Sequence, residues 1–376
     1  MLSPTSSMSI FVAWCSALLI QKTESFTPFL TSSSQGFVAQ ETRLNMASTV
    51  GSSGGQGEAE SQEDKGGTYR PFAMYAWEKL LSSGLVAENE APVPDHLAFN
   101  SSPSKGGKSP EGTTVNIEVK SAASVEAVEG SSDKILPLRL ARYALLETLT
   151  PNLNEEGSDE FVSVPNAIQV LNLVLFPDVS LPLPVLGMDL VTLPGGKNLI
   201  AIDFQPILPP PQIEIDDMKE GDGNDTDPHP PSALFPPQYA QYEERIEKLY
   251  EKHVSNQSDV LPWGGDIPPQ AKRFFSPYAL WTRLQGEEAI STIQNEVYNA
   301  FCDYFDLYLE ILLDLQSDSS CDASSVGTES KDVIKGGHVD YLNYRRDNDP
   351  ARPMLTRLYG EDYTEEIIAK VLFKMV

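Results

Sequence analysis

Residues 168–206 read IQVLNLVLFPDVSLPLPVLGMDLVTLPGGKNLIAIDFQP. Three runs rich in Val, Ile and Leu are separated by breaks containing Pro and Gly, the signal for consecutive strands. The second break, Pro194-Gly195-Gly196-Lys197-Asn198, suits a tight antiparallel connection. Each run carries one polar residue that sits badly in a buried strand: Asn172, Asp189 and Asp203. A carboxylate in such a place loses solvation and needs a partner, a proton or a purpose. The rest of the chain is expected to cover this sheet and to bring chemistry to Asp189.

The 376 residues suffice for one large domain or two small ones, and 40% apolar residues allow a real core. Twenty-nine prolines and 25 glycines imply long loops. A formal net charge of −27 argues against broad binding to nucleic acid or an anionic membrane, while leaving room for a local basic patch. Cys15, Cys302 and Cys321 form no CxxC, which argues against a disulfide framework or a zinc site and fits a reducing compartment. His96, His229, His253 and His338 have no metal-ligand spacing, so no metal is expected.

Outward from the centre, residues 1–50 read as targeting sequence. The apolar core SIFVAWCSALLI at 9–20 is too short to span a bilayer. Ser25-Phe26-Thr27-Pro28 and a hydroxylated tract follow, which resembles the bipartite plastid presequence of algae with red-derived plastids. A plain secretory signal is the alternative, and the absence of Lys or Arg before the apolar core weakens both. The expected location is the plastid stroma. Residues 51–67 read as a flexible linker. A helix is expected over 69–85, a loop insertion over 88–112 and a strand over 113–120. Residues 135–150 (ILPLRLARYALLETLT) allow a strand followed by a helix, which periodicity alone does not decide. An acidic turn at 155–159 leads into the central stretch.

After it, 209–237 reads as an exposed insertion. Asp222 and Asn224 fit a calcium loop, but Thr226, Asp227 and Ala233 break its register. An amphipathic helix is expected over 237–256. The segment FFSPYALWTRL at 274–284 reads either as a core helix with Arg283 at its rim or as the wall of a pocket for a large flat ligand. The longest helix is expected over 287–315, an insertion over 316–337, and a last helix capped by Thr364.

No G-x-G-x-x-G follows a strand, and there is no P-loop, no G-x-S-x-G and no Cys–His pair. What remains is Asp189 on a central strand and Asp349 in a charged turn with Arg345, Arg346 and Arg352 nearby. Two carboxyls facing one apolar pocket form a proton-transfer pattern, because burial lets one stay protonated near neutrality. A structural ion pair of Asp349 with Arg345 or Arg352 is the competing reading.

The segments IQVLNLVLFPD, LPVLGMDLVTLPGG, LIAIDFQP, FFSPYALWTR, YLNYRRDNDPARPMLTRLYG and YTEEIIAKVLF resemble the ferredoxin-dependent bilin reductases, over most of the chain from Tyr69 onward. The resemblance implies one domain over 68–376, interrupted at 88–112, 209–237 and 316–337. Its fold would be an α/β/α sandwich, a central antiparallel sheet flanked by helices, with an open-chain tetrapyrrole between the sheet and the C-terminal helices. It implies no bound metal or flavin, electrons delivered singly by reduced ferredoxin, and the preceding bilin reductase as a candidate partner for substrate transfer. By position, Asp189 in GMDLV and Asp349 in NDPAR match the two catalytic aspartates. Asn172 stands where the phycocyanobilin-forming branch has a histidine, which speaks against that branch. Arg345 is expected to contact Asp349 or the substrate, and Arg283 and Arg352 to pair with its propionates. The DPARPMLTRLYG tail resembles two branches. One reduces the A-ring diene of 15,16-dihydrobiliverdin to phycoerythrobilin, which the presequence favours; the other, phytochromobilin synthase, does the same chemistry on biliverdin. A non-catalytic bilin carrier is the remaining alternative.

Overall fold

The protein is described here by a computed structural model covering residues 66–104, 109–124, 136–152, 161–164, 166–207, 234–235, 240–317 and 328–374. The expected presequence, the linker up to residue 65, the acidic turn and most of the 209–237 insertion lie outside the described residues.

The chain begins with helix α1 (Arg70–Ser82), strand β1 (Val86–Ala87), a short 3-10 turn, helix α2 (Asp95–Ala98) and β2 (Phe99–Pro103). Strands β3 (Thr114–Ser124), β4 (Leu138–Pro151) and β5 (Phe161–Ser163) follow. The quoted stretch forms β6 (Gln169–Pro177), β7 (Val185–Leu193) and β8 (Lys197–Gln205). Then come α3 (Ala240–His253), α4 (Pro269–Lys272) and β9 (Leu280–Leu284). A long helix runs through α5 (Ala289–Thr292), a π turn (Ile293–Val297) and α6 (Tyr298–Ser317). The chain ends with α7 (Thr328–Asp347), α8 (Arg352–Tyr359), α9 (Glu361–Ile367) and a second π turn (Ile368–Leu372).

All the strands join one antiparallel sheet in the order β1-β3-β4-β6-β7-β8-β9, with β2 on β3 and β5 on β4. The β7–β8 turn is the one read from Pro194-Gly195-Gly196. Both glycines have positive φ (93° and 74°), where a side chain would be strained. On one face, Leu171, Leu173, Met188, Leu190, Ile200, Ile202 and Phe204 pack against α1, α3 and α6. On the other, Val170, Val174, Phe176 and Val185 pack against α7, α8, α9 and the last π turn. Three layers result, with helices on both faces of the sheet.

Several expectations need correction. The described part of 135–150, residues 136–150, holds no helix. β4 is buried from Ala141 to Thr148, so both its faces are covered and no alternation shows in the sequence. Residues 88–112 are not all loop, since α2 and β2 lie within them and β2 pairs with β3. The 274–284 segment ends in strand β9, not a core helix. It too is buried on both faces except at Arg283, and that hides its period.

Half of the 316–337 insertion is the start of α7. Its apolar contacts Ile334, Tyr341 and Leu342 are spaced helically, but Gly336 and Gly337 disguise the helix. Gly337 is required: a Cβ there would lie 2.0 Å from the Ile207 carbonyl oxygen. Thr364 caps nothing. It lies inside α9, which starts after Gly360 (φ 93°), and its hydroxyl donates back to the Gly360 carbonyl at 2.8 Å.

Candidate functional site

Strand alternation puts residues 142, 172, 189, 201 and 281 on the sheet face covered by α7–α9. Direct register makes a row across five strands: Ala144, Asn172, Asp189, Ala201 and Trp281. At about 4.8 Å per strand the row spans roughly 19 Å. Its polar centre is flanked by two alanines and ended by an indole.

The centre is tied together by hydrogen bonds. Asn172 Nδ2 donates to Asp189 Oδ1. Arg345, from α7, donates through Nη2 to Asp189 Oδ2 at 3.1 Å, an ion pair with both side chains largely shielded. Arg142, from β4, donates through Nη1 to Asn172 Oδ1 at 2.7 Å and through Nε to the Leu372 carbonyl at 2.5 Å. Arg142 is fully buried, and its guanidinium lies 5.1 Å from the Phe373 ring and 5.8 Å from the Phe176 ring. Arg345 stacks on the same Phe373 ring at 5.5 Å.

Asp349 sits in the turn between α7 and α8, 5% exposed, and its Oδ1 accepts the Ala351 N–H at 2.8 Å. Burial pushes its carboxyl above the ordinary carboxylate range and the charge of Asp189 adds to this; the Ala351 N–H and the two arginines pull the other way without cancelling it. Burial lowers Arg142 to about 10, and neighbouring Arg345 adds to the fall. Burial also acts against the charge on Arg345, but Asp189, Tyr341 and Asp349 outweigh it and hold that guanidinium above its usual range. Each carboxyl therefore feels the other and both arginines: the four groups form one cluster. Tyr341, one turn before Arg345, is fully buried, pushed up to about 12 by burial, and hydrogen-bonded to Gln205 Oε1.

Four of the six expected residues thus come together: Asn172, Asp189, Arg345 and Asp349. Arg345 pairs with Asp189, not with Asp349. Arg352 is turned elsewhere, to the Arg346 carbonyl at 2.5 Å and the Glu365 carboxylate, where it ties α7 to α9. Arg283 is exposed at the sheet edge, 5.4 Å from the Trp281 ring, on the site's face but two strands from Asp189. Asp203, the third polar residue of the quoted stretch, shares this face but is held by the Ser276 N–H at 2.9 Å and the Ser276 hydroxyl. Burial pushes it up to about 7 against those bonds. Arg142 is the member that sequence reading missed. The signal was available, a cation inside an apolar run, but it needs the strand reading of 138–151. Among the described residues no group of three or more His, Cys, Asp or Glu is placed to hold a metal ion, and no helix is long and apolar enough to cross a membrane.

Comparison with known proteins gives this arrangement its context. A family model described as Ferredoxin-dependent bilin reductase matches residues 159–218 and 234–374, more than half of the chain. A phycoerythrobilin:ferredoxin oxidoreductase of Synechococcus sp. (strain WH8020) is 35% identical over 247 residues, which is 65% of this chain and 80% of that protein. One of Nostoc punctiforme is 38% identical over 212 residues, 56% of this chain and 67% of its own. Among solved structures, tomato phytochromobilin synthase in complex with biliverdin shares the fold, with a TM-score of 0.54 at 21% identity, covering 81% of this chain and 82% of that one.

Proposed function

This chain belongs to the ferredoxin-dependent bilin reductases, and we propose that within them it reduces the A-ring diene of 15,16-dihydrobiliverdin to phycoerythrobilin. The reaction needs two electrons, taken one at a time from reduced ferredoxin, and two protons. No resident metal or flavin takes part in this reading. The observation that carries it is the coupling of Asp189 and Asp349 in one cluster on the covered sheet face. A substrate radical has to be protonated at a chosen carbon, and positioned acids are what directs it there.

The tetrapyrrole lies over the row from Ala144 to Trp281. Asp349, whose carboxyl burial raises above its ordinary value, supplies one proton. Asp189, the more exposed of the two acids, takes the other from solvent and passes it on, oriented by Asn172 and Arg345. Asn172 cannot titrate, so proton delivery rests on the two acids. Relatives named for phycoerythrobilin formation, at 35 and 38% identity, favour dihydrobiliverdin over biliverdin. The reading of 1–50 as a plastid presequence sets the reaction in the plastid stroma, where a preceding bilin reductase can hand on the substrate.

The test is an anaerobic assay with reduced ferredoxin and each of the two bilins, products being separated by chromatography. Phycoerythrobilin from 15,16-dihydrobiliverdin is expected. Phytochromobilin from biliverdin, with dihydrobiliverdin left unreacted, would overturn the substrate assignment. Tight binding of both without turnover would make the protein a carrier.

A further inference from the structure

Two charged side chains in the cluster carry N–H groups that nothing accepts. Arg142 Nη2 and Arg345 Nε are both buried and without a hydrogen-bond partner. Leaving a buried donor unpaired is costly, and more so on a charged group. Here two such donors belong to guanidiniums that share one aromatic neighbour, Phe373, and feel each other's charge. The other two nitrogens of Arg142 are bonded: Nε donates to the Leu372 carbonyl, and Nη1 to Asn172 Oδ1. That second bond also settles the Asn172 amide, because its NH2 group must then face Asp189.

Charge points the same way. The cluster sets two guanidiniums side by side, and its more exposed carboxyl, Asp189, is already paired with Arg345. Neighbouring guanidiniums in a shielded place suit an acceptor that becomes negative during the reaction. In an open-chain tetrapyrrole such an acceptor is a ring carbonyl oxygen. It is conjugated with the π system and takes up charge when an electron enters, before the proton arrives.

We propose that Arg142 is a substrate-binding residue that, jointly with Arg345, donates an N–H to a carbonyl oxygen of the bound tetrapyrrole and holds the charge that oxygen gains as each electron arrives. This rests on the bilin-reducing reading of the site. Electrons come from ferredoxin and protons from Asp349 and Asp189; Arg142 gives up neither.

The experiment uses the whole protein loaded with dihydrobiliverdin or biliverdin, and reads the carbonyl stretching band of the bound bilin by vibrational spectroscopy. Absorption titration and single-turnover reduction by reduced ferredoxin accompany it. In the wild-type protein the band is expected below its position in free bilin. Arg142→Met is expected to move it back and to slow single-turnover reduction on the order of 10²-fold, the usual effect of losing one such donor, with bilin affinity changed far less. Arg142→Lys should recover part of the rate. Asn172→Leu separates the two roles: it breaks the tie to Asn172 but keeps the Nη2 donor, so the band should stay low. An unshifted band in the wild type overturns the proposal without any variant, which covers a failure of Arg142→Met to fold. So does a band that stays low in a folded Arg142→Met protein, or one that Asn172→Leu alone restores. If the wild type binds neither bilin, the bilin reading itself fails, and with it this one.

Discussion

Asp189, Asp203 and Asp349 lie under the same helices, and their surroundings give them different work. Asp189 is bonded on both oxygens by side chains of the site, Asp349 by one backbone N–H in a buried turn. If both supply protons, Asp189→Asn should still bind the bilin by absorption titration and lose reduction by roughly 10²-fold or more, the scale of a missing general acid. Normal turnover would end its role as donor. Asp203 has Ser276 for company and belongs to the architecture. Its carboxyl is raised from 3.8 to about 7, chiefly by burial. A folded-state pKa above the unfolded one means that the folded protein holds the proton longer. Stability from this group is therefore complete below pH 3.8 and is lost as pH rises through about 7. At 1.36 kcal/mol per unit the loss is on the order of a few kcal/mol. Thermal melts at pH 5 and pH 8 should show the wild type losing more than Asp203→Asn, whose amide can keep both Ser276 bonds. Equal losses in the two proteins would show that Asp203 ionises without cost.

Helix α7 carries Tyr341 and Arg345 and leads into Asp349, so its seat on the sheet fixes the site. Two adjacent glycines test that seat. Gly337 faces the Ile207 carbonyl with no room for a Cβ, whereas Gly336 is exposed and has nothing within 4 Å. Gly337→Ala should therefore destabilise the protein by roughly 1–3 kcal/mol, as overpacking does, and slow bilin reduction by shifting Arg345. Gly336→Ala should raise stability by about 0.5–1 kcal/mol, the helix-interior gain of Ala over Gly. Equal effects from the two would mean that α7 does not bear on the sheet at that point. The same helix shows where the sequence stops being legible. The three central strands and their turn could be read, because Pro and Gly bound them and each run is apolar but for a polar residue or two. The long helix of α5 and α6 could be read from its three-to-four spacing. The start of α7 could not, since glycine lowers helix propensity and the reason for Gly337 is a contact 130 residues away in the chain. β4 and β9, covered on both faces, lost the alternation that identifies a strand. Of the site, polar residues inside apolar runs were visible one at a time: Asn172, Asp189 and, through the resemblance, Asp349 and Arg345. Arg142 was hidden with its strand. That Arg352 serves α9 depends on side-chain reach, which spacing does not encode.

The net charge of −27 sets the terms on which an acidic electron carrier can approach. At separations beyond the Debye length, about 8 Å at physiological salt, the two proteins repel only weakly. Docking is then decided by the charges within a few ångströms of the contact. On and around the face covered by α7–α9 the described residues include exposed cations, Lys335 on α7, Arg283 at the end of the sheet and Lys374 after the last π turn, and exposed Asp332, Asp340 and Asp347 on α7. Cations of this kind attract locally while the whole molecule repels. Salt screens the local attraction at contact and the longer-range repulsion to different degrees. The Michaelis constant for ferredoxin should therefore change clearly between about 50 and 500 mM salt, a range over which the Debye length shortens from about 14 to about 4 Å. Bilin affinity, set by shielded groups, should change little. Arg283→Glu should weaken ferredoxin coupling at low salt and lose that effect at high salt if the edge of the sheet is part of the contact. If Arg283 instead holds a propionate, the same substitution should weaken bilin binding in an absorption titration with no ferredoxin present. A Michaelis constant for ferredoxin that stays flat across the salt range would mean that neither these cations nor the net charge governs docking, and that apolar contact does.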